Sequence, residues 1–402
     1  MTATFTRETD LLTSSEAADL LRVALTGDPE VVLPGFTTHL DDLHYRPGSE
    51  VTAIYTVTFE AGPGQTTTEH LLATTAEVAG QVATLSRDGV TLRVWRHPAD
   101  PRLPGLAPAC DPATVLAWLA TADPRAATPG SLQLDLLSYR PLRRAVLRAV
   151  VDGEEFFLKV MRPGYDDRLA TRQQLLAGAG LTVPVLARPA PGVLLSSRAA
   201  GESLAGVLVA WQDHAASPPT ADDLLALLDR LPPQVAELPK HPSWSGNLAF
   251  HAATARQQLP ADATRVDALV SGIQAVLDEG RHGPEVPTHG DFYEANLFTD
   301  GQHWQFIDID SVGPGLREDD LACCLAHLAA LPPLDPTGWR GIPRVVDAWQ
   351  RRFEEVVDPA DLRARVAGVL LSLVSGAESG QDAVRLALAE QWLASAREIQ
   401  PR

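Results

Sequence analysis

The sequence predicts an α+β protein, rich in strands toward the N-terminus and mostly helical toward the C-terminus. Three observations carry this. Apolar alternation interrupted by Asp-Gly turns recurs as far as Met161. From about Leu204 the pattern becomes helical, with proline-rich breaks at 217–219, 231–233 and 331–335. One late strand pair, Leu297–Ile309 around Asp300-Gly301, interrupts the helices. At roughly 150 residues per domain, 402 residues allow two or three domains with cores of their own. A hydrophobic content of 45% with 21% charged residues is a globular balance.

In chain order, residues 13–27 read as an amphipathic helix opened by a Thr13-Ser14-Ser15-Glu16 cap. Val51–Phe59 and Val90–Trp95 read as strands, and Ala120–Ser131 shifts to linker chemistry. Strands resume at Leu132–Ser138, Ala145–Val151 and Phe156–Met161, the last two joined at Asp152-Gly153. Val366–Val374 is far too short for a membrane span and reads as a buried helix. There is also an internal echo. Leu43-His-Tyr-Arg-Pro47 matches Leu137-Ser-Tyr-Arg-Pro141, and Asp88-Gly89 followed by Leu92-Arg93-Val94 resembles Asp152-Gly153 followed by Leu158-Lys159-Val160. Duplication of a small sheet unit and chance both account for such short matches. Under duplication, the first copy carries Arg93 where the second has Lys159.

With 33 basic and 51 acidic side chains the formal charge is −18, which argues against a nucleic-acid partner. The three cysteines, Cys110, Cys323 and Cys324, are odd in number and two are adjacent, so no disulfide framework is expected. The opening MTATFTRETD has no apolar core of a secretory signal, and together these features predict a cytoplasmic protein with no membrane partner. Only two lysines occur, Lys159 and Lys240, in a chain that otherwise uses arginine. An ammonium and a guanidinium are not interchangeable at a tight phosphate site, so each lysine is informative.

The strongest chemical signal is Thr288-His-Gly-Asp-Phe-Tyr-Glu-Ala-Asn-Leu-Phe298, followed by the apolar Phe306-Ile-Asp-Ile-Asp310. Phosphoryl transfer from ATP needs an aspartate to orient the acceptor hydroxyl and hard oxygen ligands to hold magnesium on the phosphates. Asp291 suits the first role; Asn296 and Asp308 suit the second, brought back to one place by the hairpin between them. No lysine follows a glycine, which excludes a P-loop. Gly201-Glu-Ser-Leu-Ala205 ends in alanine and is no nucleophile elbow, and Gly313-Pro-Gly315 is too short for a dinucleotide fingerprint.

The segment resembles the catalytic and metal-binding loops of the aminoglycoside phosphotransferase and choline kinase family, distant relatives of protein kinases, over roughly residues 130–400. Its continuation, Ile307-Asp-Ile-Asp310-Ser-Val-Gly-Pro-Gly-Leu-Arg-Glu-Asp-Asp-Leu-Ala322, resembles the same stretch of bacterial phosphotransferases. The resemblance implies a bilobal protein-kinase-like fold, with a β-rich N-lobe at 126–200, a helical C-lobe at 201–402 and an extra N-terminal α/β cap domain at 1–125. It implies ATP and Mg2+ as cofactors, Asp291 as catalytic aspartate, His289 as a brace of its loop, and Asn296 and Asp308 as metal ligands. Asp320 would tie down the loop backbone. Asp310 is explained equally as a further oxygen near the metal or as a strand-end carboxylate. Lys159 would contact ATP phosphates, and the backbone near Ser196, Ser197 and Arg198 would meet adenine as a hinge.

The sequence also departs from the family. The helix Arg168–Ala179 lacks the glutamate that usually pairs with the lysine, leaving Asp166, Asp167, Glu154 or Glu155 as substitutes. No glycine-rich loop precedes the lysine strand; Tyr139-Arg-Pro-Leu-Arg-Arg144 stands there, and Arg143 and Arg144 would either reach phosphate or lie on a solvated turn. The expected activity is a small-molecule kinase phosphorylating a hydroxyl of an aminoglycoside, an aminosugar or a similar metabolite, with acids around Glu294, Glu318 and Asp319 receiving ammonium groups. The alternative is a nucleotide-binding pseudokinase with a regulatory role. The acceptor and the oligomeric state stay open at this level.

Overall fold

The computed structural model describes residues 2–46, 49–62, 64–123, 131–212, 218–374 and 380–399. Two compact units are present: Met1–Ala170 with Val185–Arg198, and Thr171–Pro184 with Ala199–Arg402. The α+β class expected from the sequence is the one observed, with strands concentrated in the first unit and helices in the second. The expected boundary at 125/126 lies outside the described residues.

The first unit opens with helices α1 (Thr2–Thr13) and α2 (Glu16–Thr26). The expected serine cap of α2 does not form. Because α1 runs to Thr13, Ser14 and Ser15 are only a bend between two helices, with Ser15 already helical and the Ser14 hydroxyl accepting from the Glu16 amide at 3.2 Å. Strands β1 (Thr37–Arg46), β2 (Glu50–Gly62), β3 (Gln65–Thr74), β4 (Ala83–Arg87) and β5 (Val90–Arg96) form an antiparallel sheet in the order β1-β2-β3-β5-β4. Leu20, Leu21, Val51, Val57 and Leu92 make its core. Helices α3 (Leu106–Ala109) and α4 (Pro112–Ala122) follow. Then β6 (Leu132–Arg140), β7 (Arg144–Val151), β8 (Glu154–Met161), β9 (Val185–Ala187) and β10 (Val193–Ser197) form a second sheet in the order β6-β7-β8-β10-β9. Helix α5 (Tyr165–Gly178) lies between β8 and β9 and crosses from the first unit into the second.

Period-two alternation decides which face each strand residue takes. On β7 and β8, Ala145, Leu147, Ala149, Val151, Phe156, Leu158 and Val160 are buried against Leu106, Val115 and Leu119 of α3 and α4. Lys159, between Leu158 and Val160, takes the opposite face.

The two sheets share one strand order and one hairpin register: Arg46 faces Glu50 as Arg140 faces Arg144. That topology corrects the alignment drawn from the Asp-Gly turns. Thr52 pairs with Thr74 as Val146 pairs with Lys159, so Thr74 occupies the lysine's position, while Arg93 sits one strand further on, where the second sheet has Leu194. The turn at Asp88-Gly89 joins β4 to β5 and has no topological relation to the one at Asp152-Gly153. Thr74 is fully buried, and its hydroxyl bonds that of Thr52 at 2.7 Å.

Asp100, 4% exposed, connects the two sheets. Its Oδ2 accepts from the Tyr139 hydroxyl and the Leu142 amide, each at 2.7 Å, and its Oδ1 accepts from the Arg102 amide at 2.8 Å. Leu142, at the tip of the β6–β7 hairpin, has φ +64° and is buried beside Leu72, Ala76 and Trp95. A left-handed conformation costs a leucine on the order of 1 kcal/mol. It persists here because the side chain is socketed, the amide is bonded to Asp100, and the carbonyl accepts from Arg162 Nε at 2.7 Å. The segment standing in place of a glycine-rich loop is thus pinned within its own unit.

The second unit contains α6 (Leu204–Trp211), α7 (Ala221–Asp229), α8 (Leu248–Gln258), α9 (Ala263–Glu279), α10 (Arg317–Ala330), α11 (Ile342–Phe353), α12 (Pro359–Val374) and α13 (Gln381–Ile399). Helix α12 is buried almost all round, as a central helix must be, and packs on α8, α9, α10 and α13. Among the described residues no helix is long and apolar enough to cross a membrane. Between the helices lie a three-stranded sheet of β11 (Glu202–Ser203), β13 (Leu297–Thr299) and β14 (Trp304–Phe306), and a ribbon of β12 (Glu285–Thr288) with β15 (Gly313–Leu316).

Replacing Asp100 by alanine leaves the buried Leu142 amide and Tyr139 hydroxyl without their acceptor. At about 1–3 kcal/mol per unsatisfied group, Asp100→Ala should lower unfolding free energy by about 3 kcal/mol. Asp100→Asn, which keeps an acceptor oxygen, should cost clearly less; urea unfolding checks both.

Candidate active site

The site is assembled on the β12–β15 ribbon. Thr288 pairs with Gly313, and its hydroxyl donates to the Gly313 carbonyl at 2.9 Å. The chain then leaves the ladder at Gly290, where φ is +80° and a Cβ would stand 2.8 Å from both the backbone oxygen and Cβ of Ser311, so only glycine fits. Leaving the ladder frees two backbone donors. Asp320, in the first turn of α10 and 1% exposed, accepts both: His289 N at 2.8 Å on Oδ2 and Gly290 N at 2.7 Å on Oδ1. The role the resemblance implies for Asp320 therefore has direct geometric expression.

His289 is fully buried against Phe292 and Phe306. Its Nε2 donates to the Ile307 carbonyl at 3.2 Å, and its Nδ1 accepts from the Asp291 amide at 3.3 Å. Those roles require the neutral Nε2–H tautomer. Burial agrees, pushing the imidazole pKa down to about 4 against the opposing pull of the Asp308 charge. His289 is therefore a brace between the Asp291 loop and the Asp308 segment, not a proton donor at neutral pH.

Asn296, 4% exposed, donates from Nδ2 to the Asp291 carbonyl at 2.9 Å, which identifies its Oδ1 as the remaining acceptor. Its own carbonyl accepts from the Ile307 amide at 2.9 Å. The strand pair expected over Leu297–Ile309 is shorter than the sequence suggests. β14 ends at Phe306, Asp308 has φ +47° and ψ +56°, and Ile309–Ser311 form a single 3₁₀ turn. This left-handed conformation falls on the residue for which the resemblance implies a metal-ligand role. Asp310 lies in the 3₁₀ turn rather than at a strand end.

The segment carrying Asp308 is fastened from a direction the sequence did not suggest. The Leu181 carbonyl accepts from the Phe306 amide at 2.6 Å, the Thr182 hydroxyl donates to the Phe306 carbonyl at 2.7 Å, and Arg172 Nε donates to the Val312 carbonyl at 2.8 Å. The second half of α5 and the turn after it thus brace both ends of residues 306–312.

Lys159, Ser196, Ser197 and Arg198 lie on β8 and at the end of β10 in the first unit. The acids considered as partners for Lys159 are largely engaged by arginines. Glu155 pairs with Arg198 at 3.0 Å and Arg148 at 3.3 Å, while Asp166 and Asp167 pair with Arg188 at 2.5 and 2.6 Å. Arg198 is thus held by Glu155 through both its side chain and its amide, which donates to the Glu155 carbonyl at 3.1 Å.

The expected acidic surface does not exist. Glu294 and Glu318 are 5% and 2% exposed, and Glu318 accepts from the Gly283 amide. Asp319 is bound by the Ser245 hydroxyl at 2.5 Å and Arg365 at 2.8 Å, and Arg365 also binds Asp361 at 2.5 Å. These carboxylates serve the interior, where an uncompensated charge would be costly. Lys240 pairs with Glu285. A further contact at the site comes from Trp244, whose indole Nε1 donates to Asp291 Oδ1 at 3.2 Å. No spacing links positions 244 and 291, so nothing in the sequence could have paired them.

The model of the family described as "Phosphotransferase enzyme family" matches residues 142–365, more than half of the chain. The chain belongs to this family of phosphotransferases. No curated protein sequence matches it. Among solved structures it is similar to a thermostable mutant of the aminoglycoside phosphotransferase APH(4)-Ia, at 17% identity over 66% of this chain and 95% of that one, with a TM-score of 0.48. It is similar to choline kinase from Cryptosporidium parvum Iowa II, at 11% identity over 72% and 96%, TM-score 0.46. It is also similar to spectinomycin phosphotransferase APH(9)-Ia in complex with ADP and spectinomycin, at 11% identity over 71% and 97%, TM-score 0.41.

Glu294 allows a test of burial at the site. Desolvation raises its pKa to about 7, and its Oε2 has no hydrogen-bond partner. Between the unfolded pKa near 4.5 and about 7 the unfolded chain gives up this proton while the folded chain keeps it, so the group's contribution to stability falls as pH rises through that window. Glu294→Gln should flatten that slope. At pH 8 it should exceed the parent by about 3 kcal/mol in urea unfolding, and at pH 4 the two should nearly coincide.

Proposed function

We propose that the protein is an ATP- and Mg2+-dependent small-molecule kinase that transfers the γ-phosphate to a hydroxyl of a small metabolite. The observation that carries this is the Asp320-tied loop, which presents Asp291 on a backbone held by a neutral His289 and a pinned Asn296. Asp291 orients the acceptor hydroxyl and takes its proton as the oxygen attacks phosphorus. Asn296 Oδ1 and the Asp308 carboxylate are hard oxygens, one neutral and one anionic, the donor set that suits Mg2+ already carrying phosphate oxygens and water. Bound there, Mg2+ would neutralise charge on the phosphates. Lys159 supplies a compact positive charge for the nucleotide, and the backbone at Ser196, Ser197 and Arg198 serves adenine. The first sheet, with Thr74 in the lysine's place, is a copy of the second without that chemistry.

With Glu294 buried and Glu318 and Asp319 bonded internally, an aminoglycoside or aminosugar acceptor rests on kinship alone. Three free cysteines, two of them buried, support a cytoplasmic location. The pinned β6–β7 hairpin favours one second reading, a pseudokinase that binds nucleotide without turnover.

ADP release from MgATP, measured against pools of aminoglycosides, aminosugars, neutral sugars, nucleosides and choline-like alcohols, separates the readings. Turnover with one pool should fall by about 10²–10⁴-fold in Asp291→Asn, and Asp308→Asn should raise the Mg2+ concentration required. ATP binding with no turnover in any pool selects the pseudokinase.

A further inference from the structure

Residues 239–247 form a strap that crosses the catalytic ribbon within the second unit. It is fixed at both ends. At its start, the Pro239 carbonyl approaches Gly313 so closely that a Cβ there would lie 3.0 Å from it, and Lys240 pairs with Glu285 on β12. At its end, the Ser245 hydroxyl donates to Asp319 at 2.5 Å and accepts from Arg365 Nη1 at 3.1 Å. Ser245 is 2% exposed and also lies against Gly368 of α12, whose missing Cβ would stand 3.4 Å from the Ser245 Cα. Arg365 is 7% exposed and is itself neutralised by Asp319 and Asp361. A buried ion network of this kind is a poor source of net stability but a rigid anchor, because each charge has few alternative partners.

Trp244 stands between these anchors. Its ring stacks on His251 of α8, with centroids 5.6 Å apart and planes 26° apart, and its Nε1 donates to Asp291 Oδ1. Packing alone would be met by any large aromatic residue. The indole differs from phenylalanine in offering one N–H donor and no acceptor, directed at the carboxylate that takes the acceptor's proton.

We infer that Trp244 is a positioning residue of the phosphoryl transfer, holding the Asp291 carboxylate in its reactive orientation and itself held by the Asp361–Arg365–Asp319–Ser245 network. The inference rests on the reading of Asp291 as the catalytic aspartate. An aspartate χ2 is a soft torsion that a hydrogen bond to one oxygen can bias. A donor on Oδ1 favours one orientation of the carboxylate. Misplacing a catalytic group by about 1 Å is enough to cost rate without weakening substrate binding.

The test is steady-state ADP release from MgATP by Trp244→Phe, with the acceptor found in the pools, or with water as acceptor if none is found. The ring and its stack on His251 remain; the donor is lost. Expected are a kcat about tenfold lower, a KM for MgATP within about twofold of the parent, and an unchanged melting temperature. Ser245→Ala, which cuts the strap from Arg365 and Asp319, should lower kcat in the same direction by a smaller factor. In an Asp291→Asn background, Trp244→Phe should have no further effect on turnover. Independently of turnover, the urea midpoints of Trp244→Phe, Asp291→Asn and the double variant should be non-additive. A Trp244→Phe enzyme with parental kcat, or one that loses only melting temperature, overturns the inference while leaving the reading of Asp291 intact. Full turnover by Asp291→Asn overturns that reading itself, and the inference with it.

Discussion

The arrangement of the site depends on one buried carboxylate receiving two backbone amides. When the chain leaves β12 at His289 and turns at Gly290, two N–H groups lose their place in the ladder inside a dry region, where each unpaired donor would cost about 1–3 kcal/mol. Asp320 meets both from the first turn of α10, where the helix dipole favours a negative charge. Two forces act on it in opposition. Burial drives its pKa up to about 7, and the two amide donors pull it back toward ionisation. The amides are fixed backbone groups that can only donate, so the carboxylate must accept from both, and α10 is thereby locked to the loop.

From that lock the remaining geometry follows in sequence. His289, held by its amide, places a ring whose two nitrogens meet the Asp291 amide and the Ile307 carbonyl. Asn296 closes the same loop through the Asp291 carbonyl and reaches the Asp308 segment through its own carbonyl. The loop bearing Asp291 and the segment bearing Asp308 are thus joined twice, and Leu181, Thr182 and Arg172 hold the segment from outside. A left-handed Asp308 can be sustained because the bonds on both sides leave the backbone no alternative.

The first unit shows the same economy with different residues. Both sheets have one strand order, yet the place of Lys159 is taken in the first by Thr74, which spends its hydroxyl on Thr52. What the first sheet contributes instead is a socket. Leu72, Ala76 and Trp95 receive Leu142, and Asp100 takes the hairpin's amide. Where kinase-like proteins rely on glycines in this hairpin, the chain holds a leucine in a glycine-like conformation by burying it.

Much of the site was legible in the sequence because it is local. The candidate residues His289, Asp291, Asn296 and Asp308 lie within twenty residues, and the lone strand lysine stood out because the chain otherwise uses arginine. The strands on β7 and β8 were readable from alternation, whereas β1 and the threonine-rich β3 were not, since their burial comes from the neighbouring strands rather than from their own pattern. Charge was misread for a related reason. Glu294, Glu318 and Asp319 look like a solvent-facing acidic cluster in one dimension, but whether a carboxylate meets water or Arg365 is decided by helices far apart in the chain. By itself, then, the sequence determined the chemistry: which residues are present, in what order, and hence the class of reaction. Only the tertiary structure decided which groups hold them, because the bonds from Trp244 to Asp291, from Arg172 to Val312 and from Asp100 to Leu142 join residues whose separation along the chain carries no information about their distance in space.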